Sequence, residues 1–334
     1  MGGEAAIPII DGSVMAGPEG PSRDSCDAQI GEACRSSGFL VIANPPGDAH
    51  LGAGERAELL RIFTLDAAAK RRLGCQRYQP ENWNRYRGWS PMDPSRGLGT
   101  ERIELGSDSV DPEPRGDPRD LLYEPSAWPD EASLPGWRAS VATAFAGLDR
   151  LARSLVASLE RVLGLAEGRL GRHFTPVNST LRIVRHPGPA EWDDDLCRRL
   201  EVGWRDGERL LQLILPHTDS GCVTFVSQDA DAGLQARSPD GSWTPVPSQE
   251  GWLAVNFGQL LESWTGGEIR ATEHRVIGTA RGRTSIPFFV EPAADTHVAP
   301  LLPGDDFEPF VYGDYVWRRI QQFPDYRGLG ERFR

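Results

Sequence analysis

His217 and Asp219 stand two residues apart in LILPHTDSGCVTF, a segment of strand character. Side chains at i and i+2 of a strand share a face, so an imidazole and a carboxylate can reach one ion while Thr218 points away. A second imidazole, His274, lies in ATEHRVIG, where His274 and Val276 alternate onto one side. Two neutral imidazoles and one carboxylate cover one face of an octahedral ion and leave three positions open. That arrangement is diagnostic of non-haem Fe(II) oxygen chemistry. A 2-oxo acid fills two of the open positions and leaves the last for O2. Its distant carboxylate then requires a planar two-pronged cation and a hydroxyl, which Arg283 and Ser285 supply at i and i+2 in GRTSIPFFVEP. Lysine serves less well at such a site. Each piece alone is common; in this order and context they support one another.

Together with IPIID, YRGWSPM, STLRIVRHP, GLQA and VNFGQLLESWTGGEIRATEHRV, these pieces resemble the 2-oxoglutarate/Fe(II)-dependent dioxygenase superfamily, in its isopenicillin N synthase-like branch. The resemblance implies a mainly β fold with flanking helices around a distorted double-stranded β-helix, or jelly-roll, core. It implies iron held by His217, Asp219 and His274, and a cosubstrate gripped by Arg283 and Ser285. The activity implied takes up Fe(II), 2-oxoglutarate and O2 and oxidises a C–H bond of a small molecule by hydroxylation, desaturation or cyclisation, in specialised metabolism. Two rivals stand beside it: an oxidase that uses O2 without 2-oxoglutarate, and a silent barrel that binds a small acid. Relatives usually carry Tyr where His186 stands, so His186 either donates to the cosubstrate or is structural. They usually carry Asn-His-Gly where this chain has Asn44-Pro45-Pro46-Gly47, and His50 is not assigned the missing role.

The elements that position these residues follow from pattern. From Thr180 a strand begins in which Thr180, Arg182, Val184 and His186 share a face; a barrel-lining face would bring Arg182 and His186 near the pocket, with Arg185 outward. Tyr78–Leu105, rich in Trp, Tyr, Arg and Gly, is either a substrate-covering segment presenting Tyr86, Arg87 and Glu104 or a packed aromatic loop. Trp137, Val141, Phe145, Leu148, Leu151, Leu155, Leu159 and Leu163 recur at helical spacing, with Gly164 where a C-cap belongs. Helices are also expected at 24–37, at 55–73 and from Tyr315 to Phe323, the last closing the barrel mouth. A strand is expected at 38–42, ending at the prolines, and an edge strand at Ile7–Asp11. Residues 108–136 read as a surface loop. Residues 188–209 read as an insertion, with Trp192 and Trp204 in a lid and Asp193-Asp194-Asp195 as a solvated patch. The division expected is 1–136 packing on the core, 137–174 as helix and connector, 175–292 as the metal-bearing barrel, and 293–334 as the tail, in one integrated unit.

The totals exclude other classes. A chain of 334 residues with net charge −12 lacks the basic face of a nucleic-acid binder. Five cysteines without CxxC spacing fit free thiols in a reducing cytoplasm, and Cys222 reads as an ordinary buried thiol. No signal segment and no apolar run of about 18 residues indicates export or a membrane. His173 and His297 lack partners at ligand spacing. The partner expected is a small-molecule substrate; oligomeric state is not legible.

Overall fold

The computed structural model describes residues 6–92, 99–108, 116, 118–188, 191, 194–229, 233–302 and 307–322. Two sheets make a jelly-roll core. The larger runs, in spatial order, Ile9–Asp11 (β1), Phe39–Ala43 (β2), Leu253–Phe257 (β11), Val223–Gln228 (β8), Arg283–Val290 (β13), Thr180–His186 (β5), Glu101–Gly106 (β4) and Gly88–Ser90 (β3). The smaller runs Trp243–Pro245 (β10), Leu234–Arg237 (β9), His274–Gly278 (β12), Glu208–His217 (β7) and Glu201–Arg205 (β6). Every strand pairing within them is antiparallel except β1 on β2.

Strand alternation divides the core in two. Phe39 and Val41 of β2 and Ala254 of β11 pack with Leu234, Ala236 and Val276 of the smaller sheet. Leu40, Ile42 and Val255, on the opposite face, join the helical layer. The large sheet is therefore covered on both sides, and β2 and β11 are buried at every residue.

The helical layer centres on Trp137–Val162, 26 residues long, whose stripe from Trp137 to Leu159 is buried while Leu163 is partly so. Phe145 meets Phe288 of β13 edge-on at 5.0 Å between ring centroids. The helix ends in a Schellman motif: Gly164 at φ 65° lets its N–H donate to Arg161 O and the Leu165 N–H to Glu160 O.

Four expectations change. The helix read at 55–73 is three pieces, Ala53–Leu60, a 3-10 turn Arg61–Thr64, and Ala67–Leu73. Asp66 caps the last, its side chain accepting the Ala69 N–H at 2.7 Å. The helix read at 24–37 begins earlier, spanning Pro21–Ser36 with proline in its first turn. The described part of 108–136 is not all surface: Leu121, Leu122 and Tyr123 are buried in a 3-10 turn, Pro118–Tyr123. The insertion holds a short helix, Asp194–Leu200, then a β6–β7 hairpin turned on Asp206 and Gly207, both at positive φ. Such a two-residue Asp-Gly turn matches the right-handed twist of the flanking strands. Asp194 and Asp195 pair with Arg198; Trp192 and Asp193 lie outside the described residues. The C-terminal helix spans Tyr312–Ile320. Among the described residues no helix is long and apolar enough to cross a membrane.

Candidate metal centre and its cavity

His217 closes β7 and His274 opens β12, and the two face each other as register partners. Asp219 lies in the turn just past the end of β7. That turn is fastened to the segment after β11: the Gln259 N–H donates to Asp219 O at 2.8 Å and the Gly258 N–H to Cys222 O at 2.8 Å. Glycine is required at 258, because a Cβ there would collide with the Gly221 carbonyl oxygen.

Hydrogen bonds leave three donor atoms converging. His217 Nδ1 donates to Leu215 O at 2.9 Å and His274 Nδ1 to Thr272 O at 3.1 Å. Protonation at Nδ1 leaves the Nε2 lone pairs free. These Nε2 atoms lie 3.7 Å and 3.8 Å from Asp219 Oδ1. The other oxygen, Oδ2, is occupied by the Thr224 hydroxyl at 2.5 Å and the Asn256 amide at 2.8 Å. Among the described residues, this is the one group of His, Cys, Asp and Glu able to hold a metal, with its ligand atoms all within 4.8 Å. Burial lowers the His274 pKa, keeping its imidazole neutral, with Asp219 opposing. Burial raises the Asp219 pKa, but His274, His217, Thr224 and Asn256 outweigh it, so the carboxylate stays ionised. Two imidazoles with free Nε2 atoms and one carboxylate with a single free oxygen match the donor chemistry of a ferrous facial site.

Arg283, Ser285 and His186 form a second buried cluster. Arg283 pairs with His186 across β13 and β5, and Arg283 Nη1 lies 3.4 Å from His186 Nε2. Burial, then the Arg283 charge, pushes the His186 pKa down to about 3. A neutral ring is what permits an imidazole so close to a guanidinium.

A cavity of about 300 Å³ opens beside His217 and Asp219, with Tyr86, Glu104 and Arg182 among its walls. Arg283, Ser285 and His186 are not. Arg87 is not either: its guanidinium is buried in the scaffold, donating to Leu122 O at 2.7 Å and filling the space over Gly106. Trp204 is exposed on β6, away from the cavity walls. Arg185, read as outward, is half-buried between Glu101 and Glu191.

Sequence reasoning misses several residues. Thr224 and Asn256 fix Asp219, and Glu124 accepts the N–H groups of Arg85, Tyr86 and Arg87 at 2.6, 2.8 and 2.8 Å. Glu291 lines the cavity and accepts the Tyr312 hydroxyl at 2.8 Å, its pKa pushed up to about 8, chiefly by burial. Asn256 and Glu291 sit inside the runs VNFG and FFVEP, so proximity to a motif is the available signal.

Residues 181–292 match the model of the 2OG-Fe(II) oxygenase superfamily, and residues 7–131 match that of the N-terminal region of non-haem dioxygenases in morphine synthesis. The chain belongs to the 2OG-Fe(II) oxygenase superfamily. It is an oxidoreductase of a family that works with Fe(II), 2-oxoglutarate and O2. This oxygenase is 28% identical to an isopenicillin N synthase of Flavobacterium sp., over 95% of this chain and 96% of that one. It is also 28% identical to a 2-oxoglutarate-dependent dioxygenase of Gibberella zeae, over 90% of this chain and 77% of the relative. Its fold matches that of a full-length Neurospora crassa protein solved in complex with alpha-KG and thymine, with TM-score 0.74 and 22% identity over 97% and 99% of the two chains.

Proposed function

We propose that this oxygenase binds Fe(II) through His217, Asp219 and His274, holds 2-oxoglutarate with Arg283, Ser285 and His186, and oxidises a C–H bond of a small metabolite. Hydroxylation, desaturation and cyclisation all lie within that reading, as does a place in specialised metabolism. The observation that carries it is the convergence of three ligand atoms within 4.8 Å of one another, two of them on residues that line the cavity, each oriented by a hydrogen bond on its far side.

Iron, when bound, supplies the activation of O2 that breaking a C–H bond requires. The protein's part is positional. Leu215 O and Thr272 O hold the two rings in one tautomer, and Thr224 with Asn256 turn a single Asp219 oxygen inward. Arg283 offers a planar fork to a distant carboxylate, Ser285 a hydroxyl, and neutral His186 a hydrogen bond without added charge. The cavity on the other side, walled by Tyr86, Arg182 and Phe289, receives the molecule to be oxidised and aims one C–H bond.

A second reading is favoured by the likeness to isopenicillin N synthase: an oxidase that takes all electrons from its substrate, with Arg283 and Ser285 holding the substrate's own carboxylate. Anaerobic addition of Fe(II) and 2-oxoglutarate separates the two. The 2-oxoglutarate reading expects a new visible absorption band, succinate formed on admitting O2, and a raised 2-oxoglutarate requirement in Arg283→Ala. Turnover without succinate would establish the oxidase. Full activity in His217→Ala or Asp219→Ala would overturn the ligand assignment.

A further inference from the structure

The cavity holds a charged cluster whose one reachable side is positive. Glu104 is nearly closed off, its side chain 4% exposed, and takes Arg182 Nη2 at 2.8 Å and Arg102 Nε at 3.4 Å. The Arg182 side chain is 31% exposed. Its guanidinium lies over the Phe289 ring, 4.7 Å from the centroid. It is thus fixed at one nitrogen and on one face, which removes much of the rotamer entropy that a free arginine loses on binding. A guanidinium carries several N–H donors in a planar fork, and the contact through Nη2 leaves this one with donors to offer a ligand. A cationic ligand would meet a carboxylate that two guanidiniums already cover. A dianion would meet that same carboxylate as a near repulsive neighbour. A single carboxylate suits the site best.

Leu122, Phe289, Val316 and Ile320 give apolar walls, the last two from the C-terminal helix. A volume of about 300 Å³ lies at the small end of the roughly 300–1,000 Å³ range of ligand pockets.

We propose that the substrate is a small organic acid whose single carboxylate docks on Arg182, leaving its hydrocarbon part along the apolar walls and toward His217 and Asp219. The inference rests on the reading of this cavity as the substrate space. Arg182 is then the residue that sets substrate polarity.

Calorimetric titration of the anaerobic protein loaded with Fe(II) and 2-oxoglutarate tests it, with matched probes: hexanoate, phenylacetate and indole-3-acetate against hexanamide, phenylacetamide and indole-3-acetamide. At least one acid is expected to bind tenfold or more tightly than its amide. Arg182→Gln should bring that ratio to about one, and Arg182→Lys, which keeps the charge but loses the planar fork, should retain a several-fold preference. Equal binding of acid and amide, no binding of any acid at millimolar concentration, or a preference surviving in Arg182→Gln would each overturn it. Binding of Fe(II) and 2-oxoglutarate by the wild-type protein is read in the same experiment. If that binding fails, the functional reading fails; if it holds while the acid preference is absent, only the Arg182 inference fails.

Discussion

His217 and His274 are directly opposed residues of neighbouring antiparallel strands, with ring centroids 4.3 Å apart. The metal set therefore depends on strand register as much as on residue type. A slip of one residue between β7 and β12 would turn one imidazole to the opposite face. The ladder is irregular immediately after this pair, between His274 and Val276 and again between Val276 and Ile277, so the opposed histidines are a terminal pair set off from the regular ladder by two register shifts.

Holding Asp219 is a separate task. Thr224 and Asn256 occupy Oδ2, and without them the carboxylate is free to rotate its other oxygen away from the imidazoles. Thr224→Val and Asn256→Ala are each expected to weaken Fe(II) binding by roughly 10- to 100-fold, the usual effect of removing a partner that orients a metal ligand. Anaerobic titration of Fe(II) measures it. Affinity within twofold of wild type in both variants would show that Asp219 needs no such support.

Gly258 tests the turn itself. A methyl group at 258 would collide with Gly221 O and Asp219 O, both backbone atoms that cannot swing aside. Gly258→Ala should cost roughly 1–3 kcal/mol of stability, the usual range for overpacking, and weaken Fe(II) binding through displaced Asp219. Gly54→Ala is the control: it lies in helix Ala53–Leu60 with nothing within 4 Å of an added Cβ, and should be neutral or stabilising by up to about 1 kcal/mol. Urea unfolding of both variants decides the matter. Equal stability of the two would refute the close-approach argument.

What is legible in the sequence is what repeats or stands at fixed spacing. The stripe from Trp137 to Leu159 announces its helix, Gly164 its end, and the continuous apolar run Phe39–Ile42 a buried strand. The ligand types at 217, 219 and 274 are readable because their chemistry is unusual in combination. Contacts between distant segments leave no such trace. Nothing local to Glu124 says that it will gather three N–H groups 37 to 39 residues upstream. Arg87 likewise reads as a neighbour of the substrate because relatives present contacts from near YRG, yet in the bend before β3 its guanidinium turns to Leu122 O while Tyr86 lines the cavity. The Asp206-Gly207 turn carries a hairpin signal of its own, which the acidic and aromatic residues around it mask.

Glu124 gives the aromatic segment its shape. Glu124→Ala would strand the N–H groups of Arg85, Tyr86 and Arg87, each an orphan costing about 1–3 kcal/mol where buried. The expected loss is roughly 3 kcal/mol or more, visible as a Tm lowered by about 4 °C or more for a chain of this size. Glu124→Gln keeps acceptor oxygen and should lose less. If Glu124→Ala melts within about 1 °C of wild type, the segment is held by its aromatic packing and not by this carboxylate.

His186 makes stability depend on pH in a predictable direction. Its folded pKa, about 3, lies below the ordinary value of 6.5 that the unfolded chain restores. Below pH 6.5 the unfolded state therefore gains a proton that the folded state refuses, because burial and Arg283 both oppose a charged ring. The contribution is fully present above pH 6.5 and is lost progressively as pH falls toward 3, at up to about 1.4 kcal/mol per pH unit. Between pH 7 and pH 5 this amounts to roughly 2 kcal/mol. His173 and His274 also have lowered pKa values, both chiefly through burial, so the total acid sensitivity belongs to several rings. The difference between proteins isolates one of them. His186→Gln is neutral at every pH and should lose about 2 kcal/mol less than wild type over this interval. Urea unfolding of the metal-free proteins at both pH values measures it. Parallel losses in the two proteins would mean that the ring beside Arg283 accepts a proton in the folded state, and His186 would then be a cation facing a cation.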